Sequence, residues 1–222
     1  MNQKEYLYAS VRKLKVLQFR EPTDYGIDIV NLLKTSGISI ELLPFETPGL
    51  RGMAIPGTGK ENDIILLNSF RSAYERNFDC AHEMMHLGLH RNEKRKTFMC
   101  SDKIIANQND FYEWQANEGA AEYCVPYVVL LQILKRFYPI IKKCNKSQAN
   151  AFLDELSNIF MVPIPVIENR IDNLRFEIYQ YITMDVPIAN VKLMSKNEQR
   201  KLGMFIPSFY DMEITHRTTT YV

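Results

Sequence analysis

The stretch Cys80–His90, CAHEMMHLGLH, constrains this chain more than any other. It holds three of the four histidines in the sequence, two of them in the order His82-Glu83-x-x-His86. Neither Gly nor Pro interrupts the run from Ser69 until Gly88, so the segment reads as a helix. A helix turns about 100° per residue, which puts His82 and His86 on one face, one turn apart. Two imidazoles at that spacing can reach one zinc ion. Glu83 is offset around the axis and is suited to act on a metal-bound water rather than to ligate. Phe78, Ala81, Met85 and Leu89 give the helix an apolar side to hold it against a core.

A catalytic zinc site needs a third protein ligand and a position for water. His90 is too far along a straight helix to share the ion. Gly88 and His90 also fall short of the longer spacing of the metzincin pattern, so His90 is expected to support the site or the fold. The segment EWQANEGAAEYCVP, residues 113–126, offers better donors. Glu113 and Asn117 are four apart on a predicted helix and can both face the first one. Glu113 can ligate, and Asn117 can accept a hydrogen bond from the free ring nitrogen of a histidine and fix its tautomer. Glu118 and Glu122, on a neighbouring stripe of the same helix, are rivals for the ligand role.

The remaining sequence bounds the answer. At 222 residues the chain can form one compact domain, or one domain with a small appendage. Hydrophobic residues at 46% and charged residues at 24% exclude a disordered chain, and a net charge of +1 supplies no global field towards nucleic acid or membrane. Cys80, Cys100, Cys124 and Cys144 form no Cys-x-x-Cys pair, which excludes a zinc ribbon and a thioredoxin motif. The N-terminal residues lack the apolar run of a secretory signal. Gln132, Lys135 and Arg136 interrupt the most apolar segment, so a cytoplasmic protein with reduced thiols is expected.

Periodicity predicts helices over 4–20 and over 24–35, the latter with Asp24 as N-cap and a stop at Gly37. ISIELLPF, LRGMAIP and DIILLN read as strands of a small three-stranded sheet. Helices follow over 69–90, from Asp110 to about Pro126, and on to Tyr138. The segment 91–109 between the first two is read as a polar, irregular loop that could flank a cleft. Further helices are expected over 147–160, 166–174 and 196–202, the last from the capping-box spacing of Ser195 and Glu198 and the stop at Gly203. The expected division is 1–138 and 139–222, the second part mainly helical.

NFDCAHEMMHLGLHR followed by EWQANEGAAEYCVP resembles the ImmA/IrrE family of zinc metallopeptidases, as do the upstream strands. The resemblance covers roughly residues 25–135. It implies an α+β fold with a helical zincin-like core and a gluzincin-like site: zinc held by His82, His86 and Glu113, Glu83 as general base, and Asn117 behind the ligands. Two positions depart from the family pattern: Met85 replaces a small residue, and Gly119 replaces an aromatic.

The resemblance also implies a substrate. A zinc endopeptidase of this type is expected to cleave a specific helix-turn-helix repressor in a bacterial phage, mobile-element or stress setting, so relieving repression. The alternative is a metal-binding anti-repressor that acts by contact without cleavage. Residues 147–174 have a helix-turn-helix rhythm, but Glu168 and Asp172 on the second helix favour docking or packing over direct nucleic-acid binding. Tyr112, Tyr123 and His90 are candidates to assist the oxyanion.

Overall fold

The computed structural model describes residues 2–18, 20–58, 60–92, 97–101 and 109–212. The first helix, α1 (Gln3–Leu17), starts at a reciprocal capping box between Asn2 and Glu5 and buries Leu7, Tyr8 and Val11. Helix α2 is shorter than its periodicity predicts, running Ile29–Thr35 with Asp28 as N-cap. Gly26 explains the late start: its φ of +62° is left-handed and breaks a right-handed helix. Asp24, the expected cap, serves the preceding turn, accepting from the Glu21 N–H at 3.1 Å. Gly37, with φ +83°, ends α2 and turns the chain into the sheet, as expected.

The sheet has a fourth strand, which lies within the segment 91–109 expected to be an irregular loop. β1 (Ser39–Leu43), β2 (Leu50–Ile55), β3 (Ile64–Asn68) and β4 (Phe98–Ser101) lie in the order β1-β3-β2-β4. β1 runs parallel to β3, while β2 is antiparallel to both β3 and β4. β4 is a four-residue edge strand flanked by polar sequence, and pairing to β2 defines it more than its own propensity does. It still alternates: Phe98 and Cys100 face inward and Met99 outward. Residues 93–96 and 102–108, most of the segment expected to flank a cleft, lie outside the described residues.

Helix α3 (Ala73–Leu89) begins at a Ser72–Glu75 capping box and carries a continuous buried run from Asn77 to Leu87. The Asn77 amide accepts from the Ile29 N–H at 2.7 Å and donates to the carbonyls of Ile27 and Met161, pinning α3 to the start of α2 and to the C-terminal region. α4 (Asp110–Cys124) packs along α3. α5 (Tyr127–Ile141) continues past Tyr138 with Pro139 in its last turn, where buried Ile141 holds the end in place.

α6 (Lys146–Phe160) and α7 (Ile164–Asn173) follow, joined through left-handed Met161. α8 (Arg175–Ile178), which runs on into a π-helical turn over Tyr179–Thr183, and α9 (Lys196–Lys201) complete the α-helices among the described residues. One apolar cluster runs from Leu7 and Leu33 through α3–α5 to Ile178, Phe209 and Met212. The buried Lys4–Glu177 pair, 2.8 Å apart, adds a polar tie between α1 and α8. No single helix among the described residues is long and apolar enough to cross a membrane.

Candidate metal centre

α3 and α4 bring three of the expected donors together. One ligand atom each from His82, His86 and Glu113 falls within 4.8 Å of the others. The Nε2 atoms of the two histidines are 3.1 Å apart, and the Glu113 carboxylate lies 3.4 Å from His82 Nε2 and 3.6 Å from His86 Nε2. Both rings are fully buried, while Glu113 is 22% exposed, so the carboxylate forms the side of the cluster nearest solvent.

The groups behind the rings fix their protons. Asn117 donates from Nδ2 to the Glu113 carbonyl at 2.9 Å, which turns its Oδ1 to His82 Nδ1 at 3.1 Å. His82 therefore carries its proton on Nδ1 and leaves Nε2 bare. His90 Nε2 lies 3.0 Å from Gln115 Oε1 and donates to it, which leaves His90 Nδ1 to accept from His86 Nδ1 at 2.9 Å. His86 Nε2 is then bare as well. Two lone pairs face each other across 3.1 Å beside a carboxylate. A cation relieves that repulsion, and two imidazoles with one carboxylate are a zinc donor set.

Glu83 is fully buried, and neither of its carboxylate oxygens has a hydrogen-bond partner among the described residues. Burial pushes its carboxyl well above the usual carboxylate range, the charges of Glu113 and Asp79 push the same way, and Arg51 opposes them. The nearby Cys100 backbone also favours the charged form, the smallest of these influences. A methyl group on Gly52 of β2 would meet Glu83 Oε1 at 2.9 Å and Cγ at 3.1 Å. Cys100 of β4 is paired directly opposite Gly52. The bare glycine and the neighbouring thiol thus frame the carboxylate. Phe98, two residues back on β4, stacks on the His86 ring with centroids 4.7 Å apart.

The rival carboxylates have a different employer. Arg170 of α7, fully buried, donates to Glu118 at 2.8 Å, to Glu122, to the Tyr8 hydroxyl at 2.6 Å and to the Val125 carbonyl at 3.1 Å. Asn173 adds a bond to Glu118 at 3.2 Å. Glu118 and Glu122 lock α4 to α1 and α7 on the side away from the donors. The second helix of the expected helix-turn-helix segment thus spends its arginine on packing.

His90 stacks on Tyr112 at 4.6 Å, while the Tyr123 hydroxyl turns away to donate to Gln18, the residue that caps the C-terminus of α1. A cavity of about 530 Å³ adjoins Asn117 and is lined by Phe78, Trp114, Ala121, Val166, Arg71 and Asn169, among others. Trp114 also lines a second cavity of about 420 Å³.

Phe98, Cys100, Gln115, Gly52 and Arg170 were not singled out from sequence. The in–out alternation of Phe98-Met99-Cys100 was the available signal for the first two, and the others mark themselves only through their neighbours.

A family profile described as the IrrE N-terminal-like domain, Peptidase_M78, matches residues 33–172. The chain belongs to this family. The match begins in α2 and ends in α7, so it spans the sheet, α3, α4 and the helix that supplies Arg170. Membership in this metallopeptidase family makes the chain a peptidase by relationship and implies a metal, for which the His82, His86 and Glu113 cluster is a fitting place. No curated protein matches the chain.

Proposed function

We propose that this IrrE-like chain is a zinc endopeptidase that cleaves a specific regulatory protein in the bacterial cytoplasm, a helix-turn-helix repressor, and so relieves repression. The observation that carries the reading is the convergence of the Nε2 atoms of His82 and His86 on the Glu113 carboxylate, with the buried Glu83 carboxylate, which has no hydrogen-bond partner among the described residues, next to them. His82, His86 and Glu113 would hold the zinc ion, which when bound supplies Lewis acidity towards a peptide carbonyl and towards water.

Glu83 takes the proton from the attacking water and delivers it to the leaving amine. Its burial suits both halves of that task, since a carboxyl raised above its ordinary range holds a proton more readily once it has one. Asn117 and the His90–Gln115 pair orient the two imidazoles from behind. The cavity beside Asn117, with Phe78, Trp114 and Val166 on its walls, offers room for an apolar side chain of the substrate.

The test has two parts. Elemental analysis of protein purified without chelator should give about one zinc per chain, as a single three-ligand site requires. Co-expression with the helix-turn-helix repressor encoded nearest the gene should shorten the repressor, and Glu83→Gln should leave it whole. Derepression that persists with Glu83→Gln and an intact repressor would mean the chain acts by contact.

A further inference from the structure

Beside the first donor set lies a second. One ligand atom each from His82, Glu83 and Cys100 also falls within 4.8 Å of the others, and all three residues are buried. Cys100 reaches this place from β4, opposite Gly52, whose missing side chain lets the Glu83 carboxylate sit against the strand. The two Glu83 oxygens, buried and without hydrogen-bond partners among the described residues, point to a group still to be satisfied. Cys80 and Cys124 are buried too but join no such cluster among the described residues.

We propose that His82, Glu83 and Cys100 form an alternative cation position, selective for soft, thiophilic divalent ions such as Cd2+, which excludes zinc from the first position and takes the Glu83 carboxylate out of reach of water. Three arguments support it. Donors of one tetrahedral zinc-sized cation stand roughly 3.3–3.8 Å apart for bond lengths of about 2.0–2.3 Å, so closure from within 4.8 Å asks for shifts of at most about 1.5 Å, and less for the longer bonds of Cd2+. The charges balance: a carboxylate and a thiolate neutralise a divalent ion, whereas the first set supplies a single negative charge, and a neutral cluster is the cheaper one to bury. Thiolate is also the ligand that soft ions prefer over the nitrogen and oxygen of the first set. As the ion binds, the thiol proton leaves to solvent and a sulfur–metal bond forms.

The two positions compete because they share His82. With Nδ1 held by Asn117, only Nε2 is available, and it can serve one cation at a time. Cation binding at the second position needs no peptidase activity. Only the inhibition that should follow rests on the proposed function.

The experiment uses the full chain carrying Cys144→Ser, which removes the one cysteine that is not buried. Titration with Cd2+ is followed by ultraviolet thiolate-to-cadmium absorption and by 113Cd resonance. The expected result is a thiolate signal that saturates near one equivalent, persists in Glu113→Gln, and disappears in both Cys100→Ser and Cys100→Ala. Glu83→Gln, which leaves β4 untouched, should weaken Cd2+ binding by at least about tenfold, the lower end of what even an indirect partner of a metal contributes. Absence of a thiolate signal with Cys100 intact overturns the proposal. So does a signal that survives loss of Cys100, or one that is lost with Glu113. These spectra decide the matter whether or not a substrate is cleaved. If one is, the Cd2+ level that halves each variant's own activity should be higher for Cys100→Ser than for its parent.

Discussion

His86 Nδ1 and His90 Nδ1 face each other at 2.9 Å, and Gln115 at the far side of His90 decides which of them carries the proton. His90 is thus the link between Gln115 and the ring of His86, and it holds the His86 proton on Nδ1. His90→Ala should lower zinc affinity by roughly 10–100-fold, the usual loss when a partner behind a metal-binding histidine is removed. Competition against a chromophoric chelator measures it. Unchanged affinity would leave His90 with a packing role alone.

Arg170 answers to two carboxylates, Glu118 and Glu122, in a buried setting. Arg170→Met leaves both without their buried cation and should cost about 3–5 kcal/mol in urea denaturation. Glu113→Gln should do the opposite, lowering zinc affinity sharply with little loss of stability of the metal-free chain. One guanidinium between two acids leaves a charge uncompensated, so burial wins and the Glu122 carboxyl is pushed from 4.5 up to about 7. The folded chain then binds more protons than the unfolded chain between those pH values, and stability falls as pH rises through that window. Glu122→Gln should flatten this slope. An equal slope in wild type and variant would place the proton elsewhere.

The metal-donor helix was legible because its signal is local: two histidines one turn apart and no breaker until Gly88, although the Ser72 cap starts it at Ala73, a turn later than the expected Ser69. Glu113 was harder, since three glutamates share α4 and spacing alone does not say which one faces α3. What separates them is Arg170, more than fifty residues downstream of Glu113, and a periodicity reading has no access to such a partner. β4 escaped for a related reason: four residues hold strand form only against β2, so the cause of their structure lies in another segment. Asp28 rather than the expected Asp24 caps α2, because nothing nearby in sequence announces that Gly26 takes a left-handed φ.

The two departures from the family pattern compensate each other. A methyl group on Gly119 would stand 3.0 Å from Met85 Sδ and 3.1 Å from Met85 Cγ, so the large residue on α3 fills the space that the small one on α4 leaves. Helix propensity alone predicts a gain of about 1 kcal/mol for Gly119→Ala. That gain should fail to appear in wild type and should emerge in a Met85→Ala background. A double-mutant cycle on unfolding free energy should therefore give a coupling of about 0.5–2 kcal/mol. Additive effects would mean that Met85 moves aside freely.

Gly52 tests the role of Glu83 without touching it. The nearest atoms that a methyl at Gly52 meets all belong to Glu83, the closest at 2.9 Å, and none belongs to His82, His86 or Glu113, the proposed zinc ligands. Gly52 does not have a left-handed φ, so an alanine there carries no backbone penalty of that kind. Gly52→Ala should accordingly keep its zinc and its fold while displacing the carboxylate by a few tenths of an ångström to an ångström. Misplacement of a reacting group on that scale lowers turnover by roughly 10–100-fold. The measurement is kcat on the cleaved repressor alongside zinc content and thermal stability. The decisive comparison is with Glu83→Gln: if Gly52 acts through the Glu83 carboxylate, adding Gly52→Ala to that variant should cost nothing further. A second full loss in the double variant would show that Gly52 influences the reaction by another route. Undiminished turnover in the single variant would count against Glu83 as the base.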